Sequence, residues 1–498
     1  MGVWTGVKNA LMKMLRIQPA PDNRAITIKE PMSYQTNVLR NRLWYRGDPS
    51  ELDQFYKATQ WDAVSRTRFW AAVPTDGLGI RKIHSGLPAL MADRLADIVV
   101  ADLDSIELGN EAQTTTWDEI AEDNDISELL GDAIAQTLAT GDGAFKLSVD
   151  TALTQYPIIE FYAADQVEYK RERGRLQEII FYSDYVANDK EYRLEETYGK
   201  GYIKYRLLTS DGKEVPLSTV TELAELQDTT YAGEFLMGVP LMFFKSPKWK
   251  GRGKSLFDGG KADNFDALDE VISQWMDAIR AGRVQKYIPE DLVPRNPDTG
   301  ELLRSNPFDN QFIKVGSSLA EDEKSQISMV QPQILYEAFV ESYASALDMC
   351  LQGIMSPATL GIDLKKTDNA EAQREKEKAT LYTRGKIVDR LNEVIPELVS
   401  VALRVWDTMQ TKTPGDYEAS VSFGEYAAPD FGSVVEIVGK ARAYGVMSIE
   451  TSVDEMYGDT WTDEEKAEEI ARLKAEQAGA AATEPAINRD SPPGDDVE

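Results

Sequence analysis

The chain has 498 residues, 42% of them hydrophobic, enough for roughly two to four packing units. With 54 Lys+Arg against 84 Asp+Glu, the formal net charge is −30, which argues against a protein that grips nucleic acid by neutralising phosphates. One Cys (Cys350) and one His (His84) exclude a disulfide framework, a Cys/His zinc site and any Cys-His or Ser-His nucleophile that does not use His84 itself, and no run of about 18 apolar residues exists to span a bilayer.

Met1-Gly2-Val3-Trp4-Thr5-Gly6 starts like a myristoylation signal, but Gly6 stands where Ser or Thr is required. The basic amphipathic segment through Arg16 is too short and too poor in Ser and Arg for a transit peptide, and reads as a surface helix lying on a neighbour. Residues 30–150 are mostly helical in pattern, over 52–56, 87–102 and 126–140. In the second of these, Leu87, Leu90, Met91, Leu95, Ile98 and Val99 form one apolar stripe, and Pro88 fits the first turn. From Gly143 to Phe244 short β-branched and aromatic runs (144–149, 158–162, 179–185, 191–197, 202–208, 241–244) alternate with turn signals such as Arg173-Gly174 and Asp211-Gly212. They predict a meandering antiparallel sheet, so the first half is an α+β unit.

Phe265, Leu268, Ile272, Trp275/Met276 and Ile279 then fall at 3-4-3-4 spacing among Asp263, Asp266, Asp269, Glu270 and Asp277, which predicts a helix with one apolar seam and an acidic remainder, stopped at Gly282. A second helix of the same type carries Tyr336, Phe339/Val340, Tyr343, Leu347, Cys350/Leu351 and Ile354, with Glu337, Glu341 and Asp348 off the seam. Between them, residues 283–332 hold Pro289, Pro294, Pro297, Pro307 and Pro332, a turn at 298–300 and strand-like pieces at 311–315 and 327–330: a small α/β insert at the tip of a helical hairpin. A mobile loop over 356–370 (Pro357, Gly361, Lys365, Lys366) leads into a long helix over about 371–410. Its first turns are charged, its later turns bury Leu391, Val394, Leu398, Val401, Val405 and Trp406, and Pro396 should kink it. Short helices follow over 434–444, 448–456 and 462–477, with Asp430 and Thr462 as caps and Thr462/Glu465 as a capping box. The final twenty or so residues have the composition of a disordered tail.

Chemical motifs are sparse. Gly253-Lys254-Ser255 resembles the end of a phosphate-binding loop, but Lys248 occupies the position of the required upstream Gly, so the better reading is a turn and cap leading into a helix. Glu122-Asp123-Asn124-Asp125 lacks the spacing of a calcium loop and reads as solvated charge. An acidic chain offers many carboxylate pairs, and none is singled out as a hydrolase pair. His84 and Cys350 lie on or beside apolar helix faces and read as packing residues.

The order of pieces resembles the plan of tailed-bacteriophage portal proteins, most nearly those of long-tailed siphophages, over about residues 30–475. Local signals agree: Asn41-Arg42-Leu43-Trp44-Tyr45-Arg46-Gly47-Asp48 resembles the family's early aromatic-glycine segment. Pro240-Leu241-Met242-Phe243-Phe244, then Gly253-Lys254-Ser255, then Asp266/Asp269 and Ser273/Asp277, resembles the entry into its first stem helix. Residues 356–368 and the charged helix start resemble its tunnel loop. A basic ring around the Gly-Lys-Ser signal (Lys248, Lys250, Arg252, Lys254) departs from the pattern and reads either as a solvated turn or as a subunit or DNA contact.

The resemblance implies an α+β, predominantly helical portal fold assembled as a twelve-membered ring. Residues 1–255 and 371–426 would form the wing, 256–282 and 333–355 the stem helices, 283–332 the clip, 356–370 the tunnel loop, 427–475 the crown and 476–498 a disordered acidic tail. It implies a non-enzymatic channel at one capsid vertex of the virion, built in the bacterial host cytoplasm, with no cofactor, metal or membrane partner, which nucleates procapsid assembly. Double-stranded DNA would pass during packaging and ejection. The terminase large subunit and then head-completion or tail adaptor proteins would dock on the clip (Arg295, Asp298, Glu301, Arg304, Phe308, Asp309), with major capsid and scaffold proteins around it.

The stem's channel face would be Asp266, Asp269, Glu270, Asp277, Glu337 and Glu341, its seam facing the neighbouring subunit. Lys365 and Lys366, with Asp363 and Thr367, would face DNA, or the two lysines would sit exposed at a subunit interface. Residues 454–498, with 14 acidic and 4 basic residues, would repel packed DNA. The competing readings are another oligomeric capsid or connector component, which would not need the hairpin and loop, and a packaging ATPase or nuclease, against which the broken phosphate loop and the lack of a metal motif count.

Overall fold

The computed structural model describes residues 32–59, 67–73, 79–282, 285–302, 312–316, 327–331, 333–362, 370–424, 431–458 and 461–481. The basic N-terminal segment, Asp363, Lys365, Lys366 and Thr367 of the loop, Arg304, Phe308 and Asp309 of the insert, Asp430, and the tail from 482 onward lie outside them. The chain divides into two units, Met1–Gly424 and Glu425–Glu498. Among the described residues helix outweighs strand, 47% to 21%, in a mixed fold. Among the described residues no helix is long and apolar enough to cross a membrane.

The first unit opens with α1 (Tyr34–Arg46), capped by Ser33, and α2 (Pro49–Ala58), capped by Asp48 with Pro at its first position. Next come α3 (Leu87–Ala101), β1 (Leu103–Leu108), α4 (Glu111–Asp123) and α5 (Ile126–Thr140). The stripe predicted for α3 is buried at Leu87, Met91, Leu95, Ile98 and Val99, whereas Leu90 is exposed. The meander is present as β2 (Gly143–Ser148), β3 (Ile158–Ala163), β4 (Val167–Glu172), β5 (Arg175–Ala187), β6 (Lys190–Gly199), β7 (Tyr202–Thr209), β8 (Glu214–Val215), β9 (Thr229–Thr230) and β10 (Gly238–Leu241). It forms two sheets rather than one: β10-β2-β3, and β4-β5-β6-β7-β8 with β9 beside β7. Trp44, Trp70, Phe145, Phe181, Phe257 and Phe265, all fully buried, lie in one continuous core under helices and sheets.

After α6 (Lys261–Ala281), the insert supplies β11 (Gln285–Pro289), β12 (Phe312–Val315) and β13 (Ser328–Val330), a sheet of order β12-β11-β13 with β11 parallel to β12 and antiparallel to β13. The chain returns through α7 (Tyr336–Leu351) and a 3₁₀ turn at Pro357–Leu360 to α8 (Ala370–Met409), then β14 (Ala419–Phe423), which pairs antiparallel with β1. Helix α8 continues through Pro396; the Asn392 carbonyl, which loses its helical donor there, belongs to an exposed residue. Its buried side is the predicted one, Leu391, Val394, Leu398, Val401 and Val405, with Trp406 half-buried and stacked on Tyr156 at 5.3 Å.

The second unit holds α9 (Phe431–Ala443), α10 (Ile449–Tyr457) and α11 (Asp463–Ala481). The capping box forms: Glu465 N–H donates to Thr462 Oγ1 at 3.3 Å, and Thr462 N–H donates to Glu465 Oε2 at 2.9 Å. Helix α11 continues to Ala481, so helix replaces the disorder expected from residue 476 for its first six positions.

Candidate functional site: an anchored helical hairpin

Two aspartates expected on an exposed channel face do the opposite. Asp266 is 6% exposed and Asp269 is 0% exposed. Asp266 takes the Phe69 N–H at 2.8 Å on Oδ2 and the Trp70 N–H at 3.1 Å on Oδ1. Asp269 takes the Ser85 N–H (2.8 Å), the Trp70 indole N–H (3.0 Å) and His84 Nδ1 (2.7 Å). Ser273, one turn further on the same face, accepts the Ile83 N–H at 2.9 Å. Residues 266, 269 and 273 of α6 thus form a row of acceptors that holds two irregular stretches, 69–71 and 82–85, whose backbone N–H groups have no ladder to join. An acidic residue on a helix otherwise reads as solvated; here it replaces secondary structure for its neighbours.

Burial raises the Asp266 carboxyl from 3.8 to about 6, against the opposing pull of the Trp70 and Phe69 N–H groups. With the folded-state value above the unfolded one, the stability linked to this group is complete below about pH 3.8 and is lost as pH rises toward about 6. The ceiling of that loss is about 3 kcal/mol at 1.36 kcal/mol per pKa unit. Wild-type stability minus that of Asp266→Asn, from urea midpoints, should therefore fall between pH 4 and 6.5. A flat or rising difference would contradict the assignment.

His84 packs between Trp44 (ring centroids 5.4 Å) and Trp70 (6.4 Å), and its Nε2 is buried with no hydrogen-bond partner among the described residues. It is a packing residue, as expected, with one ring nitrogen oriented by Asp269. Cys350 is fully buried at the base of α7, and burial pushes its thiol up to about 12, which suits packing rather than nucleophilic attack.

The seams of α6 and α7 were expected to face a neighbouring subunit. They meet each other first: Trp275 stacks on Phe339 at 6.3 Å and 3° and meets Tyr343 at 6.5 Å, while Leu268, Leu347 and Cys350 are buried toward the base. Lys261 Nζ donates to the Met349 and Gln352 carbonyls, and Asn264 to Met349, so the first turn of α6 caps the end of α7. Gly282 has ordinary φ (−70°); it is small because a Cβ there would sit 2.4 Å from Ile334. Toward the tip the seam opens, with Met276 (40%), Ile279 (43%), Val340 (43%) and Tyr336 (62%) exposed. Of the other expected channel residues, Glu270 and Asp277 are half-buried on α6, and Glu337 and Glu341 are exposed on α7. In the insert, Arg295, Asp298 and Glu301 are exposed on a tight turn closed by Asn296 N–H to the Glu301 carbonyl (2.8 Å) and Gly300 N–H to the Asn296 carbonyl (2.9 Å).

The start of the expected mobile loop is pinned. Ser356 is buried, its N–H donates to Thr380 Oγ1 at 2.9 Å, and Thr359 and Thr380 hydroxyls meet at 2.8 Å, which fixes residues 356–360 against α8.

The Gly-Lys-Ser segment is a structural turn. A Cβ on Gly253 would lie 1.9 Å from the Gly141 carbonyl oxygen, Ser255 Oγ donates to the Ala139 carbonyl, and Ser255 N–H is capped by Asp258. Arg252, counted in the basic ring, is mostly buried: it donates to Asp142 (2.8 Å), Tyr34 (2.7 Å) and the Val167 and Ala164 carbonyls. Asp142 also accepts the Gly253 N–H; burial raises its carboxyl, and Arg252 works against that rise. Sequence reading missed this cluster and the buried Lys146–Glu196 pair (3.3 Å). The signal available was one Asp between two glycines, followed by one Lys, in an otherwise uncharged run over 133–149.

No family model matches the chain, and no curated protein matches it. Among solved structures, it is similar to a chain of the neck of an empty GTA particle computed with C6 symmetry (12% identity, 72% of this chain and 87% of that chain, TM-score 0.39). It is also similar to a chain of the neck of a native GTA particle computed with C12 symmetry (13%, 74% and 89%, 0.40). A third is a chain of the virion of a native gene transfer agent particle (12%, 88% and 94%, 0.37). At that level of likeness the functional reading has to come from the chain's own residues.

Proposed function

We propose that the chain is a structural subunit of a phage-like particle, specifically a portal-type subunit that assembles into a ring of about twelve around a double-stranded DNA channel at one vertex. The observation that carries this is the hairpin. Two helices leave a rigid core, fastened at the base by buried carboxylates, and carry a separate small sheet at the tip. Their apolar seam stays open near that tip, where a second copy would close it. The tip sheet is the docking end for the packaging motor and later for adaptor proteins, and the subunit has no catalytic role.

DNA moves through such a channel only if contacts with it are weak, so few cations should face it. Lys365 and Lys366 are the proposed ones. Lys365→Glu with Lys366→Glu should leave ring assembly intact and lower the DNA packaged or retained per particle. Failure of the double variant to form rings would make the loop a subunit contact and remove its DNA role.

A further inference from the structure

One region of this acidic chain is strongly basic. A cleft of 1260 Å³ lies between the β4–β5 turn, the segment 240–252 and the middle of α8. Arg171, Arg173, Lys245, Lys250 and Lys386 line it, all exposed and none in an ion pair among the described residues. Buried Arg252 stands behind them on Asp142. Of the remaining charged lining residues, Arg390 and Glu393 neutralise each other, which leaves Asp389 as the one carboxylate of the lining without an ion pair among the described residues.

The opposite imbalance occurs nearby in sequence. Between Arg94 and Lys146 there are thirteen acidic residues and no Lys or Arg. Asp118, Glu119, Glu122, Asp123 and Glu128 are exposed on α4 and the first turn of α5, without an ion-pair partner among the described residues.

Helix α5 separates the two surfaces. The acidic residues surround its N-terminal end, whereas its C-terminal end carries the 252–256 turn, through the Leu256 N–H on the Leu138 carbonyl and Ser255 on Ala139. Fifteen residues of helix place those ends roughly 22 Å apart. That exceeds the screening length of about 8 Å at physiological salt, so the two patches do not neutralise each other within one chain. Complementary, unlike patches at two ends of a rigid element are the arrangement a head-to-tail contact needs, and repetition of such a contact gives a ring when its rotation closes.

We propose that the basic cleft of one copy receives the acidic α4–α5 corner of the next, so that this charge pairing is part of the subunit contact. The proposal rests on the ring reading above and adds the residues that make the contact. The test is charge reversal read by native mass spectrometry, with circular dichroism confirming that each variant folds.

Wild-type chain should give rings. Lys245→Glu with Lys250→Glu and Lys386→Glu should shift the population at least tenfold toward monomer, as should Asp118→Lys with Glu122→Lys and Glu128→Lys. All six changes in one chain should restore rings, because the signs then match again. Rings that persist in either triple variant, or six-fold variants that stay monomeric, would overturn the proposal while leaving the ring reading in place; a wild-type chain that forms no ring overturns both. Rings that persist in the cleft variant while it loses retention of a DNA fragment would assign the cleft to DNA. If the chain end beyond residue 481 becomes protease-sensitive instead, the cleft belongs to that acidic segment. Either result overturns the proposal.

Discussion

Asp269→Ala should be among the most damaging single substitutions in the chain, lowering stability by about 3–5 kcal/mol. The change removes little volume but strands the Ser85 N–H, the Trp70 indole N–H and His84 Nδ1 around a site that is 0% exposed. All three groups point at that enclosed carboxylate, and an unsatisfied buried donor costs about 1–3 kcal/mol. Asp269→Asn should cost less, since the amide oxygen keeps one acceptor in place while its NH₂ opposes another donor. Urea midpoints of the two variants give the comparison. Asp269→Ala at the wild-type midpoint would mean that α6 is not fastened in this way, and that Asp269 is free to face a channel after all.

The second large effect is expected at Arg252. Arg252→Met keeps the stem and removes the guanidinium, leaving the fully buried Asp142 carboxylate with the Tyr34 hydroxyl and one backbone N–H. Breaking a buried pair from one side costs about 3–5 kcal/mol. The loss should appear as lowered stability that does not depend on DNA, because the side chain is enclosed by Tyr34, Tyr169 and two carbonyls rather than presented outward. Asp142→Asn combined with Arg252→Met should recover part of the loss, since it removes the orphaned charge. A variant of wild-type stability with weakened DNA contact would restore Arg252 to a surface role.

The parts of the fold legible in the sequence are those where one period governs a long stretch. The α3 stripe, both hairpin helices and the buried side of α8 all follow 3.6-residue spacing, and the Thr462/Glu465 box reads directly from residue type. The same logic failed where a residue's partner lies far along the chain. Asp266 and Asp269 occupy the polar side of a well-defined amphipathic pattern, so they read as solvated; the donors they serve lie 184 to 199 residues away. Arg252 reads as one of four basic residues in a loop, and its carboxylate is 110 residues away. Periodicity reports which way a side chain points relative to its own element, not what the rest of the chain folds over it. The mutual seam of α6 and α7 was half legible for the same reason: the apolar spacing was plain, but whether its partner is the other helix or another copy is a tertiary fact.

What remains open along that seam bears on the central claim. Met276, Ile279, Val340 and Tyr336 are exposed near the tip of a hairpin whose base is closed by Leu268, Leu347 and Cys350. A neighbouring copy would cover them, and repetition of one such contact gives a ring when its rotation closes. Native mass spectrometry of the purified full chain tests this most directly. A closed ring should appear at about twelve times 55.6 kDa. A stable monomer at 55.6 kDa across micromolar concentrations, and in particular one that hydrolyses ATP, would contradict the account.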